Sequence, residues 1–118
     1  MPWTVPLPQD TWGDRDTMSF LREVHTRIKA ASFTWNPASV SAGATLDTTL
    51  TSASVPQLKG LRAGMAVQVT PPSSINSGLH VTGAWVPADN QLTVRLYNST
   101  AGALDAGSAI WAFMGVLP

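Results

Sequence analysis

The chain has 118 residues, enough for one domain with a useful though modest core, and its 44% hydrophobic content argues for a folded protein rather than disorder. Only 12% of residues are charged, about half the usual share, and seven basic residues cancel seven acidic ones. No basic excess exists to neutralise phosphates, so nucleic acid is not an expected partner. With no cysteine, disulfides and thiolate metal sites are excluded, and no apolar run reaches membrane-spanning length, so no membrane partner is expected either.

Residues 1–13 read MPWTVPLPQDTWG. Prolines at positions 2, 6 and 8 oppose helix and favour extended, polyproline-like backbone. A stretch led by proline and Trp rather than by charge is not expected to be a secretory signal. Two readings stand for it: a disordered terminus, or an arm whose Trp3, Val5, Leu7 and Trp12 dock on a partner, since Trp is a frequent interface anchor. Residues 14–30, DRDTMSFLREVHTRIKA, are the only helical candidate. Asp16 or Thr17 can cap its first turn, with Asp14 and Asp16 at the positive dipole end and Arg27 and Lys29 at the other. Phe20, Leu21, Val24 and Ile28 form its packing stripe. Met18, Leu21, His25 and Ile28 also fit the spacing of a short coiled-coil seam. A helix this short needs support, either from its own domain or from symmetry mates held together elsewhere.

From here the pattern is that of strands. Ser32 to Asn36 alternates and ends at Pro37. Ala44 to Ser52 places Leu46, Thr48 and Leu50 on one face, and its threonines favour strand over helix. Val55 to Gly64 is a connection, and Met65 to Thr70 is a strand with Met65, Val67 and Val69 inward. Gly78 to Asn98 is the clearest signal. Leu79, Val81 and Trp85 share one parity before a Pro87-Ala88-Asp89-Asn90 turn, and Leu92, Val94 and Leu96 share one after it. This predicts an antiparallel hairpin, its turn closed by the Asp and Asn side chains and Trp85 in the core.

The last strand, Ala109 to Leu117, is apolar on both faces: Ile110, Ala112, Met114 and Val116 on one, Trp111 and Phe113 on the other. Alternation with polar residues is expected where one face is wet, so both faces should be covered. The core takes one. The other, to which the two aromatics are assigned, is covered by the helix or by a second subunit. An oligomer interface through Ile110, Trp111, Phe113 and Met114 is therefore expected.

Six strands with turn signals between them predict a mainly β chain, a β-sandwich or jelly-roll-like antiparallel module over residues 31–118, preceded by the extended arm and one short α-helix. Chemistry is sparse. His25 and His80 are isolated, Glu23 sits one turn from Arg27, and Asp47, Asp89 and Asp105 fall on a strand face and in turns. A calcium site from the turn carboxylates is the weakest alternative. With no nucleophile–base pair, P-loop or dinucleotide fingerprint, the expectation is a non-enzyme with no catalytic residues, no metal and no cofactor. His80, Arg95 and Tyr97 on one strand face read either as a solvated surface or as a set that meets a sugar or a partner loop.

Trp35-x-Pro37-x-Ser39-Val40-x-Ala42-Gly43-Ala44-Thr45 forms one half of a wider pattern. Gly78-Leu79-x-Val81-Thr82-Gly83-x-Trp85-Val86, then Leu92-Thr93-Val94-Arg95-Leu96-x-Asn98 and Thr100-Ala101-Gly102, form the other. Together, from Phe33 to Gly115, they resemble a small β-sandwich module of tailed-bacteriophage structural proteins. Such modules occur in head decoration (cement) proteins, head fibres and tail components, commonly as trimers. The resemblance implies a virion protein on the capsid surface rather than the tail. Its partners would be its own copies in a homotrimer and the major capsid protein or another virion protein, the latter gripped by the arm. The alternatives are a fibre or tail module that binds host glycan, and a head–tail connector component.

Overall fold

The computed structural model describes residues 28–117. Its strands are β1 (Ile28–Trp35), β2 (Thr45–Thr51), β3 (Ala66–Thr70), β4 (Leu79–Trp85), β5 (Gln91–Asn98) and β6 (Ala109–Val116). The only helical element among the described residues is a single 3-10 turn, Pro56–Leu58. The strands form two antiparallel three-stranded sheets in the orders β1-β6-β3 and β2-β5-β4. Except at the β4–β5 hairpin, every connection carries the chain from one sheet to the other. The fold is therefore mainly β and sandwich-like, as the alternation predicts.

One core joins the inward faces. From the first sheet come Phe33, Trp35, Val69, Trp111 and Phe113; from the second come Leu50, Leu79, Leu92, Val94 and Leu96. The aromatics interlock: Trp35 meets Trp111 edge to face with ring centroids 4.8 Å apart, and Phe33 lies 6.0 Å from Phe113. The connection after β2 adds Val55, Leu58 and Leu61. Gly115 sits on the inward side of β6 because Leu61 and Met65 take the space; a Cβ there would lie 3.1 Å from Leu61 Cδ2 and 3.2 Å from Met65 Cε.

Three expectations need correction. Ile28, Lys29 and Ala30 do not end a helix but open β1, in register with Val116, Gly115 and Met114 of β6. A ladder partner is available there, and it overrides the local helical pattern. Ile28 is accordingly 39% exposed on a strand rather than packed in a helical stripe. Trp111 and Phe113 are not at a surface: they are 0% and 3% exposed, and Ile110, Met114 and Val116 point outward instead. Parity sorted the two faces of β6 correctly, but size decided which went inside, since the bulky rings fill the volume between the sheets. Finally, Trp85 is 37% exposed, because the β4–β5 register shifts between Val81 and Gly83. One extra residue inverts the parity beyond it. The arm residues Trp3, Val5, Leu7 and Trp12, and Phe20, Leu21 and Val24, lie outside the described residues.

The hairpin turn does more than reverse the chain. Asn90, at φ 62°, accepts at Oδ1 from Gly60 N–H (2.9 Å), and Asp89 Oδ1 accepts from Ala63 N–H (3.0 Å). These side chains, expected to close their own turn, instead pin the 60–63 connection. At the other end, Val40 and Leu104 exchange backbone bonds of 2.8 and 3.0 Å. Gly78 is required beside them: a Cβ there would overlap the Thr100 methyl and stand 3.0 Å from Leu104 Cδ1. We expect Gly78→Ala to destabilise by about 1–3 kcal/mol through overpacking. Adding Thr100→Ser, which keeps the hydroxyl and removes the methyl, should recover part of the loss in urea unfolding. Failure of that rescue would place the strain elsewhere.

Candidate functional surfaces

The two outer faces differ in kind. On the first sheet, the outward positions are Ile28, Ala30, Ser32 and Thr34 of β1, Ala66, Gln68 and Thr70 of β3, and Ile110, Ala112, Met114 and Val116 of β6. None is charged. Ile110 is 65% exposed and Met114 47%, with Val116 and Ile28 beside each other in register at one end. The interface expected from the sequence is thus divided. Ile110 and Met114 are on this face, while Trp111 and Phe113 belong to the core behind it.

The second sheet carries the polar and aromatic face. Arg95 of β5 grips Asp47 of β2 through two bonds, Nε to Oδ1 at 2.7 Å and Nη2 to Oδ2 at 2.9 Å. Its guanidinium carbon also lies 5.0 Å from the Trp85 ring centroid. The guanidinium bonded to the Asp47 carboxylate holds its pKa below the ordinary value of 3.8. The same bond raises that of Arg95. Because both groups stand in solvent, the pair contributes little to stability. What it contributes is present above the ordinary carboxylate value and is lost as pH falls through the lowered one. The Asp47 carboxyl carbon should therefore titrate in NMR below 3.8. Arg95→Gln should move that midpoint up, and an unmoved midpoint would mean the fork does not persist in solution.

Further along β5, Tyr97 stacks on His80 with ring centroids 6.3 Å apart, and His80 Nε2 is 3.1 Å from Ser99 Oγ. Thr93, outward by parity yet 4% exposed, shares a 2.8 Å hydroxyl bond with Thr49. Sequence reasoning missed Trp85 as a member of this face. The available signal was Gly83, since an isolated glycine within a strand pattern marks a bulge.

The remaining polar residues serve the backbone. Asp105 Oδ1 accepts from Gly107 N–H at 2.9 Å, and Asp89 holds the connection described above. Among the described residues, no three His, Asp or Glu side chains meet in a way that would hold a metal ion. Asn98, at the end of β5, is fully buried. Its Nδ2 donates to the Val40 and Gly102 carbonyls at 2.9 and 2.8 Å. Its Oδ1 accepts from the Thr100 N–H and hydroxyl at 2.8 and 2.7 Å. Every bond this side chain can make is used, which identifies it as an architectural residue.

Comparison with known proteins adds no relatives: no family model, no curated protein and no solved structure matches this chain.

Proposed function

We propose that this chain is a structural protein of a tailed-phage virion, a homotrimer that decorates and reinforces the head shell. The observation that carries the assembly part is the charge-free outer face of β1-β6-β3, from which Ile28, Ile110, Met114 and Val116 protrude. The viral setting rests on the motif resemblance. Exposed apolar side chains grouped on one uncharged sheet face are the mark of a surface meant to be covered.

Magnitudes indicate how it is covered. Two strands of eight residues and one of five present a plan area on the order of 300–400 Å². A stable interface needs roughly 800 Å² per partner. The face therefore supplies about half, and the segment ahead of β1 supplies the rest. Ile28 opens β1, an edge strand, and is the first exposed apolar residue of this face, so the chain ahead of it joins the sheet at the edge of that face. Copies associated through that face would leave the N-terminal arm, with Trp3, Val5, Leu7 and Trp12, to reach the shell. Many shallow attachments of this kind would bind by avidity.

Light scattering at micromolar concentration should give a trimer for the full chain, and Ile110→Lys with Met114→Lys should give a folded monomer. A wild-type monomer would overturn the assembly reading. Deleting residues 1–13 should release the protein from its virion while leaving the trimer intact; unchanged binding would remove the arm from the account. Immunogold microscopy of the parent particle should label the head, and a tail label would favour the fibre or connector alternatives.

A further inference from the structure

If assembly covers one outer face of the sandwich, the other is turned to the surroundings, and its side chains are of another kind. We propose that the outer face of β2-β5-β4 is a binding platform for a neutral saccharide. Trp85 is its stacking surface and the Asp47–Arg95 fork its hydrogen-bonding group. This is a role separate from self-assembly.

Three observations carry it. First, Trp85 is brought out by a bulge. Continued alternation from Leu79 and Val81 would bury it, and bulges are devices for re-aiming a side chain. The indole leans over Gly83, where even a single added carbon would stand 3.6 Å from Trp85 Cζ3. The six-membered ring edge thus reaches back over Gly83, and the residue stays more than a third exposed. Second, the fork beside it is held in place. Asp47 takes two N–H groups of Arg95 at 2.7 and 2.9 Å, and the guanidinium carbon stands over the indole, 5.0 Å from its ring centroid, so a sugar would stack on the ring surface that Arg95 leaves open. A guanidinium has five N–H donors, so others remain free, as do lone pairs on the carboxylate. Donors and acceptors are therefore fixed next to an apolar ring. A pyranose needs that combination: one ring face presents C–H bonds, and the rim carries adjacent hydroxyls. Third, Tyr97 continues the platform. Trp85 is in register with Thr93, and Tyr97 lies four residues further along β5, about 13 Å away. That is the reach of a short oligosaccharide.

Charge complementarity selects the class. The platform's one cation and one anion are bonded to each other, so it offers no net charge to draw a phosphate or a polyanion. An uncharged polyol matches a neutral surface that offers both donors and acceptors.

The test uses the full chain. A glycan array of neutral hexasaccharides built from glucose, galactose or N-acetylglucosamine is run beside a heparin hexasaccharide, and hits are titrated while the Trp85 indole N–H is followed by NMR. We expect binding to at least one neutral series, with that resonance shifting. Trp85→Ala should weaken it by about tenfold or more, as removal of a binding hot spot does, and Trp85→Phe should keep most of it. Arg95→Gln, which leaves the ring in place, should weaken it as well, so the outcome does not hang on one variant. Absence of neutral hits, hits indifferent to both Trp85→Ala and Arg95→Gln, or binding to heparin alone would overturn the proposal. The Ile110→Lys, Met114→Lys variant should still bind each saccharide site, only without avidity. A failure of trimer formation is thereby distinguishable from a failure of the platform.

Discussion

Replacing Trp111 by alanine is expected to remove about 3–5 kcal/mol of stability, a large share of the 5–15 kcal/mol that holds a domain of this kind together. Trp111 is 0% exposed, lies on the central strand of its sheet, and packs edge to face on Trp35. Its removal leaves a cavity that rigid sheets on either side cannot close. Trp111→Phe should behave very differently. The indole Nε1 is buried with no hydrogen-bond partner among the described residues, so the native residue carries an uncompensated desolvation cost of about 1–3 kcal/mol. Phenylalanine gives up packing volume and the edge-to-face contact but also removes that orphan donor, and it should land within about 1 kcal/mol of wild type.

Urea unfolding checks both variants, best in the Ile110→Lys, Met114→Lys background, so that subunit association does not shift the midpoint. The comparison also separates the two accounts of the last strand. Were Trp111 at a subunit interface, as its apolar surroundings in the sequence led one to expect, alanine would weaken assembly and leave the monomer's stability alone.

The reason that expectation failed is instructive. Periodicity reports which residues share a face, and in β6 it grouped Ile110, Ala112, Met114 and Val116 correctly. It does not report which face is inside when both are apolar; that depends on the volume between two sheets, which is a property of the assembled sandwich. Trp85 failed for the complementary reason. Parity there was clear, but a bulge reversed it, and only Gly83 hinted that the alternation would break. The six strands were readable because β-branched residues, alternation and Pro/Gly punctuation all agreed. The start of β1 was not, because Ile28 to Ala30 fit a helical stripe equally well until β6 offered them a ladder. The polar platform was half readable. His80, Arg95 and Tyr97 were placed on one face by alternation, while the partner that gives Arg95 its geometry, Asp47, comes from a strand distant in sequence.

The strand-end Asn98 belongs with the readable part as a motif, but its physics appears only in the fold, and it carries the other large prediction. Asn98→Asp changes almost no volume, yet it replaces two N–H donors with an acceptor facing the carbonyls of Val40 and Gly102. At neutral pH this places an unpaired carboxylate at a fully buried position. The expected cost is about 4 kcal/mol or more, counting the lost bonds and the buried charge. The pH dependence fixes the cause. A carboxyl that is buried and faces carbonyl oxygens has a folded-state pKa raised above its unfolded value, so the folded state binds the extra proton more readily. Stability should therefore rise as pH falls toward the unfolded carboxylate value, near 4. This is the reverse of the Asp47 pair, whose small contribution fades on acidification. The acid form regains one O–H donor, so recovery should be partial. Asn98→Leu lacks donors and charge alike; the Val40 and Gly102 carbonyls keep the Leu104 N–H and the Thr100 hydroxyl, so it should lose about 2–3 kcal/mol, through the orphaned Thr100 N–H and the two lost amide bonds, with no such pH response. Urea midpoints at pH 7 and pH 5 for wild type and both variants make the comparison. Equal midpoints for wild type and Asn98→Asp at pH 7 would show that Asn98 does not hold Val40 and Gly102 together, and with it would fall the account of how this end of the sandwich is closed.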